Sequence, residues 1–335
     1  MAAELSKQIE EALEGVIILE PRKSILQLGM VRDIEVAEGR VKITLSLTPL
    51  SASARESVEE RVRNAIEELP EVKDVAIENI ELTPKEMNEF GRVIAVMSGK
   101  GGVGKSLVAG LLAIALARQG YQVGILDADI TGPSIPKMFG LKARPMGSDK
   151  GILPVETKSG IEVMSINLLL PHEDDAVIWR GPLLAKAIMQ FWDDVFWGKL
   201  DYLIVDLPPG TADIPLTVMQ SVPLSGVIIV STPQDLAGMV VRKAVHMASN
   251  LHIDVLGVVE NMSYLMIPET GKKLELFGKS KGEDMAREAD APLLGQLPVD
   301  PELAQLCDEG DIERYNSDAF IAFSQAFTEA MSSKE

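Results

Sequence analysis

The sequence predicts an α/β protein: a mainly parallel sheet with helices on both faces, preceded by a small α/β domain. Three observations carry this. From Arg92 onward, short continuous apolar runs alternate with longer stretches of helical apolar spacing, and strands covered on both faces read as such runs. A glycine-rich turn over 99–104 stands between the first of these runs and the first long helix. Before Arg92 the elements are shorter and alternate apolar with polar residues, so the first stretch reads as a unit of its own.

In order along the chain, residues 4–13 have the spacing of a short helix. Segments 31–36 and 41–47 alternate around Glu38-Gly39, a hairpin signal. Over 54–69, Val58, Val62, Ile66 and Leu69 share one helical face. Residues 72–82 return to an extended pattern, completing a domain over 1–82 with the order helix, two strands, helix, strand. Residues 83–91 are polar, contain Pro84 and read as a linker to a second domain over 92–335. There, buried strands are expected at 93–97, 123–126, 161–166, 202–205, 227–230 and 255–259. Helices at 105–118, 183–195 and 236–251 fit between them, and an amphipathic helix over 320–331 closes the chain.

Composition narrows the function. The 335 residues are 46% hydrophobic but only 4% aromatic, so the cores are aliphatic. The net charge of -18, without a lysine- or arginine-rich run, disfavours polyanionic partners; neither nucleic acid nor a membrane surface is expected to bind. Cys307 is the one cysteine, which excludes an intramolecular disulfide. Residues 1–20 lack the basic and apolar regions of a secretory signal, and no apolar run reaches the ~18 residues that span a bilayer. A cytoplasmic location is expected.

Gly99-Lys100-Gly101-Gly102-Val103-Gly104-Lys105-Ser106 fits G-x-x-x-x-G-K-[ST] at every fixed position. Glycines let backbone N–H groups converge on phosphate oxygens, and the helix that follows directs its positive end at the same anion. Gly99, Gly101, Gly102, Val103, Gly104, Lys105, Ser106 and Leu107 are thus the expected phosphate contacts. Lys105 supplies charge to the β and γ phosphates and Ser106 a hydroxyl for Mg²⁺. Asp127 and Asp129 end the next strand, where ligands bind in parallel sheets. Asp129 is placed to orient an attacking water and Asp127 to hold a Mg²⁺-bound water; a helix N-cap is the alternative for either. Asp206 follows the apolar Leu203-Ile204-Val205 and precedes Leu207-Pro208-Pro209-Gly210-Thr211, a Walker B arrangement that reaches the Mg²⁺ shell. No guanine-reading N-K-x-D follows a late strand; Glu260-Asn261-Met262-Ser263 stands there instead. The Asn261 amide offers both a donor and an acceptor to a base edge, with a simple turn as the alternative.

The second lysine of the loop, Lys100, makes it resemble the deviant Walker A group that includes nitrogenase reductase, MinD and ParA. The resemblance implies an ATP-bridged homodimer in which Lys100 acts across the interface, water activation by Asp129, and adenine near Asn261 and the Leu297-Pro298-Val299-Asp300 segment, so that Pro298 and Asp300 join the base contacts. Further motifs are similar to the Mrp/ApbC family of iron–sulfur cluster carrier ATPases: Asp127-Ala128-Asp129-Ile130-Thr131-Gly132-Pro133-Ser134, Trp179-Arg180-Gly181-Pro182, Asp206 to Thr211, Ser231-Thr232-Pro233-Gln234 and Glu260-Asn261-Met262-Ser263-Tyr264. Leu28-Gly29-Met30-Val31-Arg32-Asp33 resembles part of the small domain often fused ahead of such ATPases. The resemblance spans nearly the whole chain. It implies ATP and Mg²⁺ as cofactors, slow hydrolysis, and transfer of an iron–sulfur cluster to apoproteins or from assembly proteins.

Two departures stand against cluster binding. The family's C-x-x-C pair is missing, since Leu265-Met266-Ile267-Pro268-Glu269-Thr270-Gly271 occupies its place, and Thr48-Pro49-Leu50-Ser51-Ala52-Ser53 replaces a cysteine segment of the small domain. A cluster takes four thiolates, and a dimer of this chain offers two, both Cys307. His172, His246 and His252 have no metal-ligand spacing. The ATPase residues are complete and the cysteine ligands absent. Two other readings remain: an ATP-switched adaptor, and a MinD- or ParA-like positioning ATPase. The second needs a basic or membrane-seeking patch, and residues 319–335 carry only Lys334 as a basic group.

Overall fold

The computed structural model describes residues 2–18, 22–130, 132–148, 150–170, 181–211, 213–234 and 237–332. Thr131, His172, Trp179, Arg180 and Leu236, singled out in the sequence, lie outside the described residues. The chain forms two compact units. The first comprises Met1–Phe90, Arg144–Glu156 and Gln190–Leu200; the second comprises Gly91–Ala143, Thr157–Met189 and Asp201–Glu335.

In the first unit, α1 (Ala2–Glu14) buries Leu5, Ile9 and Leu13. Strands β1 (Val31–Ala37) and β2 (Arg40–Leu45) pair antiparallel, with Ala37 opposite Arg40. Their two-residue turn places Glu38 at φ 52° and Gly39 at φ 83°, the left-handed pair that matches strand twist in a tight hairpin. Helix α2 (Ala52–Glu67) starts at Ser51, whose hydroxyl accepts from the Ala54 N–H, and buries Val58, Val62 and Ile66. Strand β3 (Asp74–Asn79) then pairs parallel with β2. Apart from a short strand pair not expected from the sequence, Ile17–Ile18 with Lys23–Ser24, the order is helix, two strands, helix, strand.

Of residues 83–91, expected as a polar linker, all but Gly91 are instead built into this unit. The Thr83 N–H and hydroxyl both donate to the Glu86 carboxylate at 2.7 Å, opening a helical turn. Met87 is buried in the unit's core, and Asn88 bonds the main chain at Val195, Trp197 and Gly198. The polar composition reflects these specific bonds. Leu153 and Phe196, distant in sequence, belong to the same core, which explains why their segments group with it.

The second unit holds strands β4 (Glu89–Met97), β5 (Val123–Asp127), β6 (Glu162–Ser165), β7 (Lys199–Asp206), β8 (Gly226–Ser231), β9 (Val255–Glu260) and β10 (Leu293–Gln296), the first residues of β4 and β7 belonging to the other unit. They run in the order β6-β5-β7-β4-β8-β9-β10, and the β6–β5, β5–β7, β4–β8, β8–β9 and β9–β10 pairings are all parallel. Val93–Met97 of β4 are buried without interruption, as a strand covered on both faces requires. Helix α3 (Lys105–Arg118) is buried along the whole of Val108 to Leu116, so its lack of an apolar stripe marks a central helix. Further helices are α4 (Gly181–Asp194), α5 (Asp213–Ser221), α6 (Ala237–Asn250), α7 (Gly282–Ala289), α8 (Pro301–Glu309) and α9 (Asp318–Ser332). Winding outward in both directions from the β7–β4 pair puts the loop after β4 where parallel sheets bind ligands. Among the described residues no helix is long and apolar enough to cross a membrane.

Candidate nucleotide site

The loop after β4 carries its glycines for two distinct reasons. Gly102 and Gly104 sit at φ 77° and 81°, where L side chains are strained. Gly99 and Gly104 also face close neighbours: a Cβ on Gly99 would lie 2.1 Å from Val240 Cγ1, and one on Gly104 would lie 2.1 Å from Asn261 Nδ2. The backbone therefore folds into a cradle beneath a cavity of about 290 Å³ lined by Gly101, Gly102, Lys105, Ser106, Asp129 and Pro209, among others. Lys105 opens α3, so its N-terminus points at the same space.

Charged side chains converge below the cradle. Lys105, only 5% exposed, donates from Nζ to Asp206 Oδ1 at 2.5 Å and lies 3.8 Å from Asp129 Oδ2 and 3.3 Å from Ser106 Oγ. Asp127 ends β5 and Asp206 ends β7, and the two are directly paired in the ladder. Asp127 accepts from the Asp129 N–H through Oδ1 and from the Ser165 hydroxyl through Oδ2. Burial, with Asp206 beside it, pushes Asp127 up to about 8, against the pull of Lys105 and Ser165. Burial raises Asp206 as well, opposed by Lys105. The switch segment after β7 is tied to the phosphate-loop strand, for Leu207 N–H donates to Val96 O and Gly210 N–H to Ser98 O.

A magnesium ion fits this donor set. Asp206 Oδ2 is buried with no hydrogen-bond partner, an orphaned acceptor that costs about 1–3 kcal/mol unless something satisfies it. Ser106 and Asp127 add further oxygen donors nearby. Among the described residues no set of three or more His, Cys, Asp or Glu is placed to hold a metal unaided. Magnesium takes one or two protein oxygens and completes its shell with phosphate and water.

The segments expected near a base do meet. Leu297 N–H donates to Glu260 O, Ser263 N–H to Leu297 O, and Val299 N–H to Tyr264 O. Their side chains already have structural work. Asn261 is buried and donates Nδ2 to the Val103 carbonyl at 2.9 Å, bracing the phosphate loop. Asp300 caps α8 by accepting from the Glu302 and Leu303 N–H groups and also accepts the Tyr315 hydroxyl. Pro298 is half-buried. Sequence reasoning missed Ser165, the Asn261 brace and the contact of Lys100 Nζ with Gln234 Oε1 at 2.6 Å. Only for Gln234 was there a signal, since it closes the Ser231–Gln234 motif.

Cradle, lysine and strand-end carboxylates together make the second unit a P-loop NTPase domain. Comparison with known proteins carries the assignment further. Residues 89–332 match the NUBPL iron-transfer P-loop NTPase family, and residues 6–78 match the iron-sulfur cluster assembly protein family. The iron-sulfur cluster carrier protein of Aquifex aeolicus (strain VF5) is 38% identical over 359 residues, covering 97% of this chain and 96% of that one. That of Synechocystis sp. is 41% identical, covering 87% and 86%. A nucleotide-binding protein from Archaeoglobus fulgidus, solved in complex with ADP, is 49% identical, covers 69% of this chain and 91% of its own, and superposes with a TM-score of 0.62. MinD of Aquifex aeolicus shares the fold at 20% identity and a TM-score of 0.51, covering 72% of this chain and 97% of its own. The chain belongs to the NUBPL-type iron–sulfur cluster carrier family of P-loop NTPases.

Where the resemblance implies a cysteine pair, the chain forms a hairpin, Leu265–Ile267 with Lys272–Leu274. Residues 268–280 are exposed throughout. Its base is held by buried Glu260, which accepts from the hydroxyls of Ser263 and Ser280, the Lys281 N–H and Gln296 Nε2. Cys307 lies half-buried on α8, where burial and Asp308 push its thiol up to about 11. The thiolate is the metal-binding form, so this residue is a poor ligand.

Proposed function

We propose that this chain is a Mg²⁺-dependent, slow ATPase acting as a homodimer across ATP, whose switch serves iron–sulfur apoproteins or assembly proteins. The observation that carries the reading is the convergence of Lys105, Ser106 and the unpartnered Asp206 Oδ2 beneath the cradle. On ATP entry Lys105 exchanges its contact with Asp206 for the β and γ phosphates, freeing that carboxylate. Ser106 and Asp206 would hold the metal, and Asp127 would support it from beside Asp206. The ion, when bound, neutralises charge on the phosphate oxygens. Asp129 orients the attacking water, and Lys100 reaches the phosphates of the partner subunit. Asn261, Pro298 and Asp300 border the adenine.

The cluster is cargo, and the residues present do not suit holding it: the cysteine pair is missing and Cys307 is kept protonated. That observation favours a second reading within the family, an adaptor whose ATP cycle clamps or releases a partner that itself carries the cluster. The net charge of -18 argues against nucleic acid and membrane as alternatives, and a cytoplasmic location follows from the same reading. The test is nucleotide-stripped protein assayed for Mg²⁺-dependent ATP binding and hydrolysis, with iron and sulfide measured after anaerobic reconstitution. ATP turnover without iron supports the adaptor; four irons per dimer supports direct carriage; no ATP binding overturns both.

A further inference from the structure

Lys100 of the phosphate loop is fastened at both ends. Its carbonyl accepts the Ser98 hydroxyl at 2.9 Å, and its ammonium donates to Gln234 Oε1 at 2.6 Å, across 134 positions of sequence. Gln234 stands just past the end of β8, after Pro233, and that end is itself anchored: the Asn261 N–H donates to Ser231 O. Farther on, Val240 of α6 packs against Gly99 so closely that no side chain fits there. The strand end and the loop thus form one packed unit, with Gln234 on its exposed edge beside Lys100.

We infer that Gln234 is a positioning residue for Lys100, holding it on its own subunit until ATP-driven pairing offers it a phosphate. The inference rests on the reading of Lys100 as a residue that acts across the dimer. Its chemistry suits a releasable hold. An amide oxygen is a neutral acceptor, strong enough to orient an ammonium. A phosphate oxygen is charged and adds the attraction of opposite charges to the same ammonium bond, so exchange runs toward the partner's nucleotide and back once phosphate leaves. A carboxylate at this position would compete with the phosphate; an alanine would not compete at all.

The experiment compares Gln234→Glu and Gln234→Ala with the unaltered chain, measuring ATP-dependent dimerisation by sedimentation, ATP turnover, and ADP affinity of the monomer. Gln234→Glu is expected to weaken ATP-dependent dimerisation about tenfold, with relief at high salt, and Gln234→Ala to strengthen it about threefold. Both should leave monomer ADP affinity within about twofold, because the side chain that Gln234 holds, Lys100, serves the partner's phosphates and not those of its own subunit. Both effects should vanish when combined with Lys100→Ala. Shifts in the same direction, no shift, or shifts that persist without Lys100 overturn the inference. If Lys100→Ala alone pairs and hydrolyses as the unaltered chain does, the cross-dimer reading falls first and takes this one with it.

Discussion

The nucleotide site and the 264–281 hairpin branch from the same end of one sheet, yet they are built on opposite principles. At the site, Lys105, Asp127, Asp129 and Asp206 are at most 9% exposed, with Lys105 donating to Asp206 and lying 3.8 Å from Asp129. Along the hairpin, residues 268–280 all face solvent, while Glu260 and Ser263 at its base are buried. Buried charges depend on each other, so removing one strands the rest. Exposed residues carry no such mutual constraint. The buried site is therefore hard to alter piecemeal, whereas the exposed hairpin can change its side chains at little cost to the fold.

The predictions follow from that contrast, from the largest effect to the smallest. Lys105→Ala should lower ATP turnover by about 10³-fold or more and destabilise the nucleotide-free protein by about 3 kcal/mol through the unpaired Asp206. Turnover assays and urea unfolding check both, and a loss below tenfold would break the comparison. Next is Cys307. Its thiol is raised from 9.0 to about 11, so the folded state holds the proton and, at pH 8, carries about 100-fold less thiolate than an ordinary cysteine. Alkylation by iodoacetamide should be correspondingly slow in native protein and accelerate on unfolding. Since the folded pKa is the higher one, this group's contribution to stability is complete below pH 9 and falls as pH rises toward 11.

Glu260→Gln should destabilise by about 1–3 kcal/mol, because an amide N–H₂ would face donors that now meet a carboxylate. Denaturant unfolding measures it, and hydrogen exchange should show the loss concentrated at the hairpin base. The smallest change in stability is expected from Ile267→Cys combined with Thr270→Cys. The Thr270 N–H donates to Ile267 O in a tight turn, so the two thiols would stand together at a site where substitutions cost within about 0.5 kcal/mol. Anaerobic reconstitution should then yield a cluster of four irons per dimer. Iron binding by the unaltered chain at the same level would erase the contrast between the regions.

Much of the second unit was legible because its signals are local. Buried runs such as Val93–Met97 can only be strands covered on both faces, and the phosphate loop declares itself through glycines set next to a strand and a helix. Strand β10 was not anticipated: Leu293–Gln296 is four residues long and interrupted by Gly295, too short for alternation to register. The supposed linker was misread because polarity alone does not distinguish loose chain from a segment that bonds specific main-chain groups, as Asn88 does.

By itself the sequence determined the fold class, the cradle, the kinship with cluster carriers and the lack of a C-x-x-C pair, because each depends on residue types at short fixed spacings or on simple presence. Tertiary structure decided which charges meet. Lys105 pairs with Asp206 across 101 positions, Asn261 braces Val103 across 158, and Gln234 holds Lys100 across 134. Such contacts are set by strand order and by the register of neighbouring strands. Those follow from how whole elements bury their faces, and no local pattern records them.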